Sequence, residues 1–580
     1  MHHSNSMSRH LLLTGLGVKP REGLYRLAGG DTTCSALLAP VALFELLTPE
    51  KRPDHILAFC TKKALEETFP RLEEVLQGRV GVEAVEVPDG IHPEDIDRFF
   101  ERAVEAVARQ SPDRLTLDLT QGPRHFALLL YLGGLYLESL GEIKIEAAYY
   151  GYEFETPRPF FDLQPLLELP RWIHAIDTLK DSRDAVPLAG LLRQAESKAP
   201  HLRQFAQWMN LATEAFASGL PLELGRVAER LLREMSRPLR RALREEYRLP
   251  LADRITGKLN DWLDGYRLNE QATGQGWKAR IALTEEELRR QARLIDDLLA
   301  HGNLRSALGL MNEWVVSWAL LRSDEATRWL EFEPARRRAA NKLGALVRFL
   351  QDPGLRSRLI PEQQELARFW EELSSLRNSL HHHGMRPQTV TSDDDGVRAK
   401  LDRVHSYWEG TMRDLPNISL APLGAGERCL LVSPVGERPG VLFSALLGLR
   451  GEGVACDAVL AICSRSTEAR VPEAFERAGW QGEHHLLRFD DPFAGIEERL
   501  GLCERARPVL AQAGAVYVNV TGGTTLMGLL AEELAGEARR LARPVRRFGL
   551  IDRRPSEEQR TNPWVQGELL WLDKAADAES

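Results

Sequence analysis

One short pattern occurs twice in this chain, once near each end, and few folds allow that. "DHILAFCT" aligns without a gap on "DAVLAICS", pairing Asp54 with Asp457, Cys60 with Cys463 and Thr61 with Ser464 at an offset of 403. "LDLTQGPRHFALLL" aligns on "VNVTGGTTLMGLLA", pairing Asp118 with Asn519, Thr120 with Thr521 and Gly122 with Gly523 at an offset of 401. Both pairs open on a short apolar run and end it at a hydroxyl or glycine turn. The second pair then continues into a helical stretch. "HLLLTGLG" and "RCLLVSPVG" read as the opening strands of the two copies, the first followed by a loop and the helical "SALLAPVALFELL". Strands alternating with helices predict a parallel, doubly wound sheet. Two matches at nearly one offset predict an internal duplication of one α/β fold, with a period far too long for a solenoid.

The segment between the copies is rich in Leu, Arg, Glu and Ala at helical spacing. "TEEELRRQARLIDDLLAHGN" opens on a capping box, Thr284 with Glu287. "PEQQELARFWEELSSLRNSLHHHG" places Leu366, Phe369, Leu373, Leu376 and Leu380 on one apolar stripe between Pro361 and Gly384. The expected fold class is α/β plus all-α, two Rossmann-like domains flanking a helical one. The domains are read at 7–165, 166–415 and 426–575. "ELPRWIHAIDTLKDSRDAVP" and the polar "TVTSDDDGVRAK" are the expected breaks.

Bulk numbers exclude some classes. The 580 residues carry 43% apolar residues, enough to bury real cores. A net charge of −9 argues against a whole-protein polyanion binder and, with no helix-turn-helix pattern, against DNA. No apolar run approaches a membrane span, and "MHHSNSMSRH" does not read as a secretory signal. The six cysteines form no Cys-x-x-Cys pair and sit mostly in apolar runs, so reduced thiols and a cytoplasmic location are expected.

Ligands of open α/β sheets collect at the carboxyl ends of the strands. The turns there hold Gly15, Gly17, Thr61, Thr120, Gln121, Gly122 and Arg124 in the first copy. The second copy offers Ser433, Gly436, Ser464, Thr521, Gly522, Gly523, Thr524 and Thr525, with no cation matching Arg124. Hydroxyls, glycines and a helix N-terminus suit a phosphate-bearing ligand. The plain alternative is that Thr and Gly only make tight turns. "VTGGTT" is neither a Walker A loop nor Gly-x-Gly-x-x-Gly, so neither ordinary ATP hydrolysis nor NAD binding is indicated.

These turns, "DLTQGPR" and above all "NVTGGT", resemble those of CARF domains, the Rossmann-like sensors of type III CRISPR systems. The resemblance implies cyclic oligoadenylate as ligand, most often cyclic tetra-adenylate. It also implies that two CARF units pair face to face with the ring across their two-fold axis.

"RNSLHHHG" ends the amphipathic stripe of the helical segment. Three adjacent histidines point about 100° apart on a helix and cannot share one ion, and no His-Glu-x-x-His occurs, so no metal site is read. A solvated histidine run is one alternative. The other is a metal-free ribonuclease, because RNA carries its own 2′-hydroxyl nucleophile and needs only a base and a cation. Arg377, Asn378 and His382 resemble the Arg-Asn-x-x-x-His signature of HEPN ribonucleases, helical domains with composite dimeric sites. The resemblance implies Arg377 at the scissile phosphate, His382 on the 2′-hydroxyl or leaving oxygen, and Asn378 in support. His381 lies closer to the Arg377 face of an ideal helix and is the alternate. Arg398 and His405 lack the Asn and are set aside. One such motif per chain implies a homodimer acting on single-stranded RNA, with no cofactor beyond the activating ring. Some CARF-like domains are ring nucleases, so Thr521 to Thr525 with Ser433 are the alternative centre, opening the activator. A non-catalytic sensor is the further alternative.

Overall fold

The computed structural model describes residues 9–141, 143–194, 200–245, 247, 249, 252–268, 274–323, 325–331, 335–381, 385, 395–423 and 426–573. The chain forms two compact units, Met1–Asp177 and Thr178–Ser580.

The first unit is an α/β sheet. In order come β1 (His10–Leu16), β2 (Gly23–Leu27), β3 (Thr33–Ala36), α1 (Ala39–Leu46), β4 (His55–Cys60), α2 (Lys62–Glu67), α3 (Phe69–Leu76) and β5 (Gly81–Glu86). Then follow α4 (Pro93–Gln110), β6 (Arg114–Asp118), α5 (Arg124–Ser139), β7 (Lys144–Gly151) and β8 (Arg158–Asp162). The sheet runs β3-β2-β8-β7-β6-β1-β4-β5. The five strands β7-β6-β1-β4-β5 are parallel, while β8 runs antiparallel to β7. Alternate residues feed two cores. Leu11, Leu13, Leu57 and Phe59 pack on one face, and Leu12, Ile56, Ala58 and Cys60 on the other. A sheet buried on both faces explains why these strands read as continuous apolar runs.

The loop expected after β1 is instead the hairpin β2–β3, with β2 pairing parallel to β8. Its strands have only 5 and 4 residues and alternate weakly, so they carry little apolar signal. α1 starts at Ala39, where Pro40 fits the first turn.

The helical region comprises α6 (Gln164–Leu167), α7 (Leu169–Ser182), α8 (Val186–Gln194), α9 (Pro200–Ala217), α10 (Pro221–Arg230), α11 (Ser236–Glu245) and α12 (Ala252–Asp264). It continues with α13 (Glu285–Ala300), α14 (Leu304–Arg322), α15 (Arg337–Gln351), α16 (Pro361–His381) and α17 (Asp395–Gly410). One expected break is therefore largely helical, and the other is helical over its described residues. α7 occupies most of "ELPRWIHAIDTLKDSRDAVP" because Trp172, Ala175 and Leu179 recur at helical spacing and are buried. The boundary between the two units falls inside it. α17 begins within "TVTSDDDGVRAK", whose first six residues lie outside the described ones. Trp314, Trp318 and Trp408 anchor the core, with Trp314 and Trp408 in an edge-to-face pair. No helix among the described residues is long and apolar enough to cross a membrane.

The second sheet follows: β9 (Cys429–Pro434), α18 (Gly440–Gly451), β10 (Ala458–Ser464), α19 (Arg470–Ala478), β11 (Glu483–Phe489), α20 (Glu498–Gln512) and β12 (Ala515–Asn519). It closes with α21 (Thr525–Arg540), β13 (Val545–Ile551), α22 (Ser556–Thr561) and β14 (Glu568–Trp571). Its order is β11-β10-β9-β12-β13-β14, with only β14 antiparallel. Apart from the hairpin, this repeats the first sheet strand for strand. In both, the order reverses beside the first strand, between β1 and β6 and between β9 and β12. That switch point is where an open α/β sheet leaves a crevice at its strand ends.

Candidate functional site

Both switch points are closed by the same latch. In the first copy the Thr14 hydroxyl donates to Asp118 Oδ2 (2.8 Å), and the Thr120 N–H donates to Asp118 Oδ1 (3.1 Å). In the second, Asn519 Nδ2 donates to Ser433 Oγ (3.0 Å), and the Thr521 N–H donates to Asn519 Oδ1 (2.9 Å). The hydroxyl of Thr120 accepts the Gly151 N–H (2.9 Å), and that of Thr521 accepts the Leu550 N–H (2.8 Å). These six side chains, three in each copy, fasten strand ends together. Ser433 is fully buried and faces its latch partner, so its hydroxyl is not displayed to a ligand.

The glycines have steric reasons. Gly122 (φ 99°), Gly522 (φ 98°) and Gly523 (φ 71°) sit in left-handed conformations. A Cβ at Gly15 would stand 2.9 Å from the Gln121 carbonyl oxygen, and one at Gly436 would stand 3.0 Å from the Gly523 backbone. Gly17 is less crowded, 3.7 Å from the Gly122 N. Thr61 caps α2, accepting the Ala64 N–H (3.3 Å). Ser464 shares hydrogen bonds with Ser466 and Thr467. Arg124 opens α5, exposed and without a carboxylate partner among the described residues. Gln121 Oε1 and His125 Nε2 are buried there without a hydrogen-bond partner.

In the second copy these turns line a cavity of about 770 Å³. Gly436, Ser464 and Thr521 through Thr525 all border it. Thr524 caps α21, accepting the Met527 N–H (3.4 Å), and donates to the Pro492 carbonyl (2.6 Å). Thr525 is exposed at the first helical position. The N–H groups of Gly522, Gly523 and Thr524 meet no acceptor among the described residues. Sequence reading found no cation matching Arg124 in this copy, but Arg438, on another turn, borders the cavity. It is held by the neutral Gln559 Oε1 (3.0 Å) and Ser556 Oγ (3.3 Å). Asp552 hydrogen-bonds to Arg554 instead, which holds its carboxyl below the usual range, and Arg438 is close enough to help. Free N–H groups, a helix N-terminus and this guanidinium are the groups of the cavity suited to an anion, and the carboxylate residues Glu437 and Asp552 border it as well. Arg438 stands two residues after Gly436, and a charged residue that close to a ligand turn was the available signal.

The helical region holds a second cavity, of about 460 Å³, bordered by Arg377 and His381 together with Arg305, Glu313 and Arg336. Both come from α16, one turn apart and therefore on one face. Arg377 Nη1 donates to Asn378 Oδ1 (3.0 Å), which steadies the guanidinium. Arg336 is bound to Glu313 (2.7 Å) and to Ser317. His382 lies outside the described residues.

The two cavities stand on elements that touch. α21 begins at the first cavity and carries Glu537 near its far end, buried against the helical region. The Glu537 carboxylate accepts from Arg348 of α15 (3.2 Å), Arg507 of α20 (2.8 Å) and Arg540 (2.9 Å). Arg507 also reaches Asp352 (3.3 Å). Burial pushes the Glu537 carboxyl up, but the guanidinia of Arg540, Arg507 and Arg348 outweigh it and leave it below the usual range. α15 in turn packs along α16.

No family model matches the sequence, and no curated protein does. Among solved structures the chain is similar to Enterococcus italicus Csm6 bound to cyclic hexa-2'-fluoro-hexa-dAMP. That similarity has 9% identity and a TM-score of 0.31, over 71% of this chain and 95% of that one. A likeness this distant carries no argument about what the chain does.

Proposed function

We propose that this protein is an endoribonuclease kept silent until cyclic oligoadenylate occupies the cavity at the strand ends of the second sheet. One observation carries the reading. The helix that starts at this cavity ends in an ion cluster on α15, which packs along the helix of Arg377 and His381. The CARF and HEPN resemblances of the sequence agree with it.

The chemistry uses the substrate's own nucleophile. The 2′-hydroxyl of single-stranded RNA attacks the adjacent phosphorus and the 5′-oxygen leaves, giving a 2′,3′-cyclic phosphate and a 5′-hydroxyl. Arg377 balances the charge of the phosphorane, and Asn378 holds Arg377 in place. The histidine takes the 2′ proton or supplies one to the leaving oxygen. Motif spacing assigns this to His382, with His381 the alternate on the Arg377 face. A second protomer completes the composite site. Binding energy of about 5.5 kcal/mol, spent differentially on two arrangements, turns a 1% state into a 99% state.

The test is cleavage of end-labelled single-stranded RNA with and without cyclic tetra-adenylate. Cleavage should require the ring, and Arg377→Ala should lower the stimulated rate by about 10²–10³-fold. Full stimulated rates in Arg377→Ala, His381→Ala and His382→Ala together would sink the reading.

A second reading concerns the activator itself. Exposed Thr525 and the free turn N–H groups suit the same displacement on the ring, opening it to a linear product. Labelled ring followed in the same incubation separates the two. Linear product that disappears in Thr525→Ala supports ring opening, and intact ring excludes it.

A further inference from the structure

The cavity of the second sheet is bordered by a phenyl ring with nothing packed over it. Phe493 is 83% exposed, yet the loop that carries it is held on every side. Asp491 Oδ1 accepts the N–H groups of Phe493 (2.9 Å) and Ala494 (3.0 Å). The Asp491 carbonyl accepts the Gly495 N–H (2.9 Å). The Glu498 carboxylate accepts those of Asp490 (2.8 Å) and Asp491 (3.2 Å). The Thr524 hydroxyl binds the carbonyl of Pro492, so the residue before Phe493 is tied to the cap of the anion-binding helix. A fixed backbone that displays an apolar side chain loses little freedom when a flat partner lies on it.

The first copy repeats the device with different chemistry. Its loop after β5 presents Ile91, 75% exposed, and Asp95 fixes that loop by accepting the N–H groups of Ile91 and His92 (both 3.1 Å). An aliphatic side chain at this place offers no π face. The first copy does carry exposed aromatics, Tyr152 and Phe154, but on the loop after the strand that Thr120 latches, whereas in the second copy Phe493 itself borders the cavity of the Gly522–Thr524 turn.

We infer that Phe493 is the stacking surface for a nucleobase of the ligand whose phosphate sits at the Gly522–Thr524 turn. The assignment rests on the proposed nucleotide ligand of this cavity. It makes the site selective for phosphates that carry a base, since stacking on an aromatic ring is sequence-tolerant but requires a base.

Full-length protein and its Phe493→Ala, Phe493→Leu and Phe493→Trp variants are titrated calorimetrically with cyclic tetra-adenylate, AMP and ribose 5-phosphate. Oligomer mass is recorded at the same concentrations. Ala and Leu should weaken the base-bearing probes by about 5- to 150-fold, and Trp should keep wild-type affinity. Ribose 5-phosphate should be unaffected. Wild-type affinity in Phe493→Ala, or in Phe493→Leu, overturns the inference and leaves the cyclic oligoadenylate reading standing. Wild-type protein that binds AMP through Phe493 but not the ring keeps the inference and removes that reading. Binding of neither base-bearing probe removes both. Ile496 (57% exposed) and Leu500 (67%) lie nearby, so loss of oligomer mass in step with affinity would assign the ring to a contact between copies instead.

Discussion

At the end of the fourth core strand one copy carries Asp118 and the other Asn519, and the two side chains make the same latch. The difference is a charge. Asp118 is fully buried and its partners are hydroxyl and N–H groups rather than a cation, so burial pushes its carboxyl above the usual range. A folded pKa above the unfolded one contributes stability below the unfolded value and loses it as pH rises through the folded value. At neutral pH the acid therefore costs stability that an amide would not. Asp118→Asn should raise the melting temperature at pH 7, by about 2–4 °C for a gain of about 1 kcal/mol, and the gain should vanish well below pH 4. Calorimetric melting at the two pH values checks it, and an unchanged or lower melting point at pH 7 refutes it. The gapless alignment displayed the Asp118–Asn519 pair. The latch partner Thr14 is 104 residues from Asp118 and could not be read from local pattern. For the same reason Ser433 looked like a ligand-facing hydroxyl when it belongs to the latch.

Among elements, those with a sustained apolar period were legible. The stripe of α16 places Leu366, Phe369, Leu373 and Leu376 in the core as spacing required. The cap of α13 was half legible. Thr284 accepts the Glu287 N–H (3.1 Å), but the Glu287 carboxylate turns inward to Arg290 (2.6 and 2.8 Å) and Gln291 (2.7 Å). Both partners of that ion pair are buried. Removing one strands the other, because Arg290 would keep only the carbonyls of Pro221 and Tyr266. Glu287→Ala should cost about 3–5 kcal/mol, read as a lower urea midpoint at unchanged slope, whereas a surface cap residue would cost about 1 kcal/mol. The helix α7 and the hairpin β2–β3 were hidden by a short period and by mixed polarity. The loop of Phe493 was not singled out in the sequence, since Asp-Pro and a following Gly signal a bend and not what it displays.

At the scale of the molecule, the duplication was visible in two gapless matches, and the sheets repeat the same strand order. The join between the second sheet and the helical region was not visible, because Arg348 and Glu537 are 189 residues apart. Glu537→Gln tests that join. The variant should bind cyclic tetra-adenylate within about twofold of wild type, while stimulated RNA cleavage falls by about 5- to 150-fold. Undiminished stimulation would show that the signal takes another route. The folded pKa of Glu537 is lowered, so the ion cluster contributes fully at neutral pH and is lost as pH falls through that value. α21 thus serves two masters along one length: its first turn borders the cavity proposed for the ligand, and its last turn answers to a neighbouring helix. A substitution scan of that single rod should find intolerance at both ends and latitude at exposed positions between them, such as Leu529. Changes that improve grip at one end will be filtered by what they do to fit at the other, so this helix is free to drift only in its middle.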